Sequence, residues 1–126
     1  MPTQEPNEGG VYSHFIGSLR FLLQEEGGRI NPPFQGYFPQ FKYKNQVELS
    51  DWLVKPWFFD QSGQYYERGD LVPLEVSTSF YILDPELRVS VHQKICQVGV
   101  EFVLREGSRI TAHGVVTKVT GLFDPE

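Results

Sequence analysis

Apolar residues recur at every second position in run after run of this chain, and that period restricts it to β structure. Leu19, Phe21 and Leu23 share a face against Ser18, Arg20 and Gln24, with Leu22 as the exception. The same alternation places Phe41 and Tyr43 among Gln40, Lys42 and Lys44, and Val72, Leu74 and Val76 among Pro73, Glu75 and Ser77. It returns in Leu87, Val89 and Val91, and again in Val98, Val100, Phe102 and Leu104. Alternating side chains stand on opposite faces of a strand, so one face meets a core and the other meets water. No window of ten or more residues keeps helical spacing. The 126 residues suffice for one domain with its own core, and the single cysteine, Cys96, permits no internal disulfide.

Taken in order, residues 1–10 carry almost nothing to bury and read as a flexible tail, ahead of one domain over 11–126. Strands are expected at Phe15–Gln24 and Phe38–Lys44, with a further candidate at Gln46–Leu53. Lys55–Tyr66 reads as a hairpin closed near Gln61–Gly63. Its aromatics, Trp57, Phe58 and Phe59 among them, either form an exposed interaction patch or cap one end of the core. Arg68-Gly69-Asp70 turns the chain into the next strand, where Pro73 suggests an edge or a beginning. Phe80–Leu83, an Asp84-Pro85-Glu86 turn and Leu87–Val91 read as a second hairpin. Arg109–Val119 is the last long strand, with a shift of phase at Gly114 that predicts a bulge or a barrel corner. These elements predict an all-β barrel or sandwich of six to eight strands.

One stretch departs from the alternation. Residues 25–41, EEGGRINPPFQGYFPQF, hold three glycines and three prolines and then run into an aromatic strand. Glycine supplies positive φ and proline fixes φ near −65°, so the loop is expected to be ordered. Long ordered loops are uncommon and usually functional.

Catalytic and cofactor motifs are mostly absent: a His92–Cys96 nucleophilic pair is the one left open, and nothing in the sequence supplies a motif to orient it. Neither a Gly-x-x-x-x-Gly-Lys phosphate loop nor a Gly-x-Gly-x-x-Gly fingerprint occurs, so no nucleotide is expected. Asp60-Gln61-Ser62-Gly63 has the form of a nucleotide switch but reads as a turn, and Glu25-Glu26 as a solvated pair. His92 and Cys96 lack the further ligands that zinc requires, so a strand-surface histidine and a buried free thiol are expected, with no metal and no cofactor. No apolar run is long enough to span a membrane, and residues 1–10 do not form a signal peptide, so a cytoplasmic location is expected. The net charge of −5 disfavours general nucleic-acid binding, though not a local contact.

Two separated blocks resemble the C-terminal β-barrel, the third domain, of translation elongation factor Tu. The family pattern Glu-Gly-Gly-Arg-His-Thr-Pro-Phe-Phe, one variable residue, then Gly-Tyr-Arg-Pro-Gln-Phe aligns without a gap on Glu26–Phe41. Arg-Glu-Gly-Gly-Arg-Thr-Val-Gly-Ala-Gly-Val-Val-Thr-Lys-Ile aligns on Arg105–Val119, and Gly69-Asp70 falls on the family's Pro-Gly-Asp turn. The resemblance covers roughly Gly17–Val119, with a poor match at 45–66 and a longer span from Asp70 to Gly107. It implies a six-stranded antiparallel Greek-key barrel, here with an inserted hairpin at Tyr81–Val91. In the family this barrel is not catalytic: it packs on the GTPase domain, binds the exchange factor and touches the T-stem of aminoacyl-tRNA.

Carried over position by position, the resemblance makes Arg29, Gln40, Glu106 and Gly107 the candidate partner- or tRNA-binding residues. Ile30 stands where the family has His, Phe38 where it has Arg and Ser108 where it has Gly, which removes donors for phosphate. Arg29 with Glu106, or Glu26 with Arg109, could instead be ion pairs tying two loops together. The expectation is a non-enzymatic module that binds a protein partner of the translation factor, with Trp57, Phe58 and Phe59 as candidate interaction aromatics. Weak aminoacyl-tRNA binding is the alternative.

Overall fold

The computed structural model describes residues 12–45 and 53–124. Six strands, β1 (Phe15–Phe21), β2 (Gln40–Tyr43), β3 (Val54–Phe59), β4 (Glu75–Ile82), β5 (Glu101–Glu106) and β6 (Arg109–Val119), form one sheet. Every pairing is antiparallel and the order is β2-β5-β6-β1-β4-β3. Only β3–β4 and β5–β6 join neighbours in the chain; β1 lies between β4 and β6, a crossed order of Greek-key type. The sheet curls into a half-barrel, which fits the expected all-β, six-stranded antiparallel barrel type. The expected tail at 1–10 and the third-strand candidate at Gln46–Leu53 fall outside the described residues, apart from Leu53.

The inward face of the alternation becomes an aromatic core. Phe15, Phe41, Phe80 and Phe102 are all fully buried, with Phe15 stacked on Phe80 at 4.8 Å and Phe41 on Phe102 at 4.8 Å between ring centroids. Gly114 lies opposite Phe102 in the β5–β6 ladder, and a Cβ there would press into the Phe102 ring and Leu19. The phase shift in β6 therefore has a different origin from the one expected. The register slips opposite Leu104/Arg105 and opposite Ile16/Gly17, which places the extra residues at Thr111 and Thr117. Gly114 itself stays in phase and makes room for a ring.

β3 carries a proline in its middle without losing a ladder bond. Phe58 turns its N–H and C=O away from β4, toward Gln35. Pro56 has the same parity two residues earlier, so its missing N–H would have faced the free edge. The turn beyond β3 closes as expected, with Asp60 Oδ1 accepting from Ser62 N at 2.9 Å, Ser62 Oγ at 2.6 Å and Gln64 N at 3.0 Å. Only an isolated bridge, Phe59 to Tyr65, follows on the return side.

The inserted hairpin is not formed. Residues 85–95 are helical: an α-turn Pro85–Leu87, a π-helical turn Arg88–His92 and an α-turn Gln93–Ile95. Asp84 caps the start, its side chain accepting from the N–H groups of Glu86 and Leu87, and Pro85 sits in the first turn where its missing N–H costs nothing. The buried positions are Arg88, His92 and Cys96, each four apart, whereas Val89 faces out. Arg88 Nη1 donates to the Asp124 carbonyl and Gln93 Nε2 to that of Leu122, so the helix clamps the C-terminal segment.

His92 is accordingly a core residue, not a strand-surface one. Its Nδ1 lies 2.6 Å from the Tyr43 hydroxyl, inside the barrel wall. Burial pushes its pKa down to about 4, helped by His14 and opposed by Asp84. Between an unfolded value of 6.5 and about 4, the unfolded chain binds the proton that the folded chain refuses. Stability is then full above about pH 6.5 and falls as the pH drops toward 4. At roughly 1.36 kcal/mol per unit the loss is about 3 kcal/mol at most. Urea unfolding at pH 7 and pH 4.5 should show this slope in the native chain and a flatter one in His92→Gln; equal slopes would refute it.

Candidate functional site

The Gly/Pro loop is as ordered as its composition demands. Gln24–Glu26 form a 3₁₀ turn, closed by Glu26 Oε1 accepting from Leu23 N at 2.9 Å and ended by Gly27 at φ 94°. Gly28 follows with its N–H on the Leu23 carbonyl, so close to the Leu22 carbonyl that no Cβ would fit. This turn delivers Arg29 to the end of the β5–β6 hairpin. Glu26 pairs with Arg20 at 3.3 Å and not with Arg109.

Arg29 Nε meets Glu106 Oε2 at 2.7 Å, the loop-to-loop pair that the sequence allows. Its guanidinium lies 4.6 Å from the Tyr37 ring centroid and 5.7 Å from that of Phe34. The Tyr37 hydroxyl donates to the same Glu106 oxygen at 2.6 Å and touches Thr111 Oγ1 at 2.9 Å. Burial, and then the Glu106 carboxylate, push the Tyr37 phenol well above its ordinary range, so it remains a neutral donor. Gln40, at the start of β2, accepts the Gly107 N–H at 2.9 Å through Oε1. All four residues carried over from the family therefore meet at one end of the sheet, but they meet each other. Tyr37 and Thr111 complete the junction and were not singled out in the sequence; a tyrosine in an aromatic run does not announce which carboxylate it will meet.

The loop is held to the free edge of β3 by Gln35, which is fully buried. Its Nε2 donates to the carbonyls of Phe58 at 2.9 Å and Tyr66 at 3.0 Å, and its Oε1 accepts Phe58 N–H at 2.9 Å. One side-chain amide thus stands in for a neighbouring strand. Its signal in the sequence is a glutamine enclosed by Pro, Phe, Gly and Tyr, a polar group whose burial demands partners.

The candidate aromatics do not form an exposed patch. Phe58 points into the core and is fully buried; Trp57 points out but is only 8% exposed. Lys55 Nζ lies 5.3 Å and Arg68 Cζ 5.2 Å from the Trp57 ring centroid. Phe59 is half-buried against Tyr65, at 5.3 Å between centroids. Of the two sequence readings, covering the core describes Phe58, while Trp57 is covered by cations. The exposed apolar residues at this end are others: Ile30 at 73% and Phe38 at 46%, the positions where the family carries His and Arg.

Cys96 is buried beside Tyr43, and burial pushes its thiol up to about 11, outside thiolate chemistry at neutral pH. Among the described residues no group of three or more His, Cys, Asp or Glu is placed to hold a metal ion. No helix among them is long and apolar enough to cross a membrane.

The chain is similar to the apicoplast elongation factor Tu of Plasmodium falciparum (isolate 3D7), 26% identical over 114 residues. The match takes in 90% of this chain but 25% of that protein, so the chain spans a quarter of the relative's length. No family model matches the chain. The similarity and the six-stranded sheet together are consistent with a translation-factor domain of the C-terminal barrel type. The relative is an organellar protein by its name, so the similarity lends no weight to a cytoplasmic location.

Proposed function

We propose that this chain is a non-catalytic, translation-associated binding module that uses the elongation factor Tu C-terminal barrel to engage a protein partner of that factor. The observation that carries the reading is the chemistry of the loop end. Arg29 places its Nε on Glu106 and its guanidinium over Tyr37, and Gln40 gives its Oε1 to the Gly107 N–H, whereas Ile30 at 73% and Phe38 at 46% are the apolar side chains exposed here. Phosphate recognition needs free cationic donors; a protein surface rewards exposed apolar side chains.

The test is a pair of titrations, with the translation factor's exchange factor and with aminoacyl-tRNA, each at low and high salt. Protein binding should change little with salt and weaken roughly tenfold in Phe38→Ser, since a few apolar anchors carry most interface energy. The Phe38 ring is 46% exposed and meets Lys55 Nζ at 5.8 Å, so Phe38→Ser is expected to cost the fold little; Trp57→Ala would not serve, because Trp57 is buried. RNA binding that falls steeply with salt and is lost in Arg29→Ala would overturn the reading in favour of tRNA.

A further inference from the structure

A cleft of about 600 Å³ opens on the outer face of the sheet, across β1, β4 and β3. Ser18, Ser77 and Phe59 form its floor as register neighbours on three adjacent strands. Tyr66 and the turn after β3 wall one side, and Asp60 and Glu75 are the only charged residues that line it. It shares no residue with the Arg29–Glu106 junction.

The charge in the lining is of one sign. The Asp60 hydrogen bonds converge on Oδ1, and the first of them, from Ser62, holds the carboxyl below its ordinary range, so the charge is fixed in place. Glu75 has no ion-pair partner among the described residues. Arg20, its register partner on β1, is engaged with Glu26 instead. The serine hydroxyls can accept as well as donate, and the two aromatic rings offer negative π faces. Such a cavity suits a planar cation that donates along its edge while lying flat on a ring.

We propose that this cleft is a binding site for a guanidinium group, the arginine side chain of a peptide or protein partner. The inference does not rest on the function proposed above, since a guanidinium site would stand whether the loop end meets protein or RNA. Guanidinium fits better than ammonium because its flat fork pairs bidentately with a carboxylate while its face stacks on an aromatic ring, and the lining supplies both kinds of group.

N-acetyl-arginine methylamide, titrated into the isotopically labelled chain at millimolar concentrations, tests the site by amide chemical shifts. Saturable shifts should be confined to Phe59, Tyr66, Ser77 and their neighbours, with the corresponding lysine derivative binding more weakly. Asp60→Asn combined with Glu75→Gln should weaken binding about tenfold, as loss of close charge pairs does. Asparagine can still accept the turn's hydrogen bonds through its own oxygen. Should the double variant be unfolded, the exposed Glu75→Gln alone makes the same comparison. Shifts scattered over the surface, affinity unchanged in the variant, or equal shifts with a neutral sugar would each overturn the proposal.

Discussion

Gln35→Leu is expected to destabilise the chain by about 3–5 kcal/mol, although leucine nearly matches glutamine in volume and suits an apolar site. The cause is what it leaves behind. Among the described residues Gln35 is the only partner for Phe58 N–H on the outer side of β3, and it also serves the Tyr66 carbonyl. Each buried polar group stranded by a one-sided change costs about 1–3 kcal/mol. The Phe58 carbonyl suffers less, because Tyr66 N–H still reaches it at 3.2 Å. Urea unfolding would read the loss as a shifted midpoint at constant slope, and amide exchange should quicken first at Phe58. A change under about 1 kcal/mol would mean that water replaces the side chain and that the loop is not pinned there.

That residue also marks where reading from sequence stops. The strands were legible because their inward positions are almost all aromatic or aliphatic; β6 ends where the alternation said, at Arg109 and Val119. The 85–95 helix was not, for a physical reason. Its buried stripe is Arg88, His92 and Cys96, two of them polar, so hydrophobic period could not reveal it. Leu87, Val89 and Val91 meanwhile imitate a strand while Val89 faces water. The decisive local signal was the Asp84-Pro85 pair, which serves a helix start as well as a turn. At the candidate site, the four carried-over residues were found together because one ladder end brings both blocks to one place. Their use as ties to each other was legible only as one of two options, since charge alone does not say whether Arg29 faces Glu106 or a ligand.

The half-barrel should depend most heavily on Phe102. Phe102→Ala is expected to lose about 3–5 kcal/mol, the transfer term of a buried ring plus the cavity it vacates. The ring stacks on Phe41 at 4.8 Å, meets Phe80 edge-on at 5.1 Å and Phe15 at 6.3 Å, so three neighbours lose contact at once. A cavity should persist because those neighbours are themselves wedged by further rings and cannot fold inward. The glycines provide an internal check on this account. Gly114→Ala alone should destabilise, its new methyl pressing into Phe102 and Leu19. In a Phe102→Leu background the shorter side chain withdraws from that space, and the same change should cost much less. The two sites are in contact, so their effects should be non-additive by about 0.5–3 kcal/mol. Strict additivity would show that Gly114 is needed for backbone geometry and not for room. Non-additivity of the expected sign would identify the pair as one packing unit, a large ring on β5 admitted by an absent side chain on β6. Because β5 also ends in Glu106, loosening that unit should release the Arg29 tie, detectable as faster amide exchange at Gly28 and Gly107 before the sheet opens as a whole.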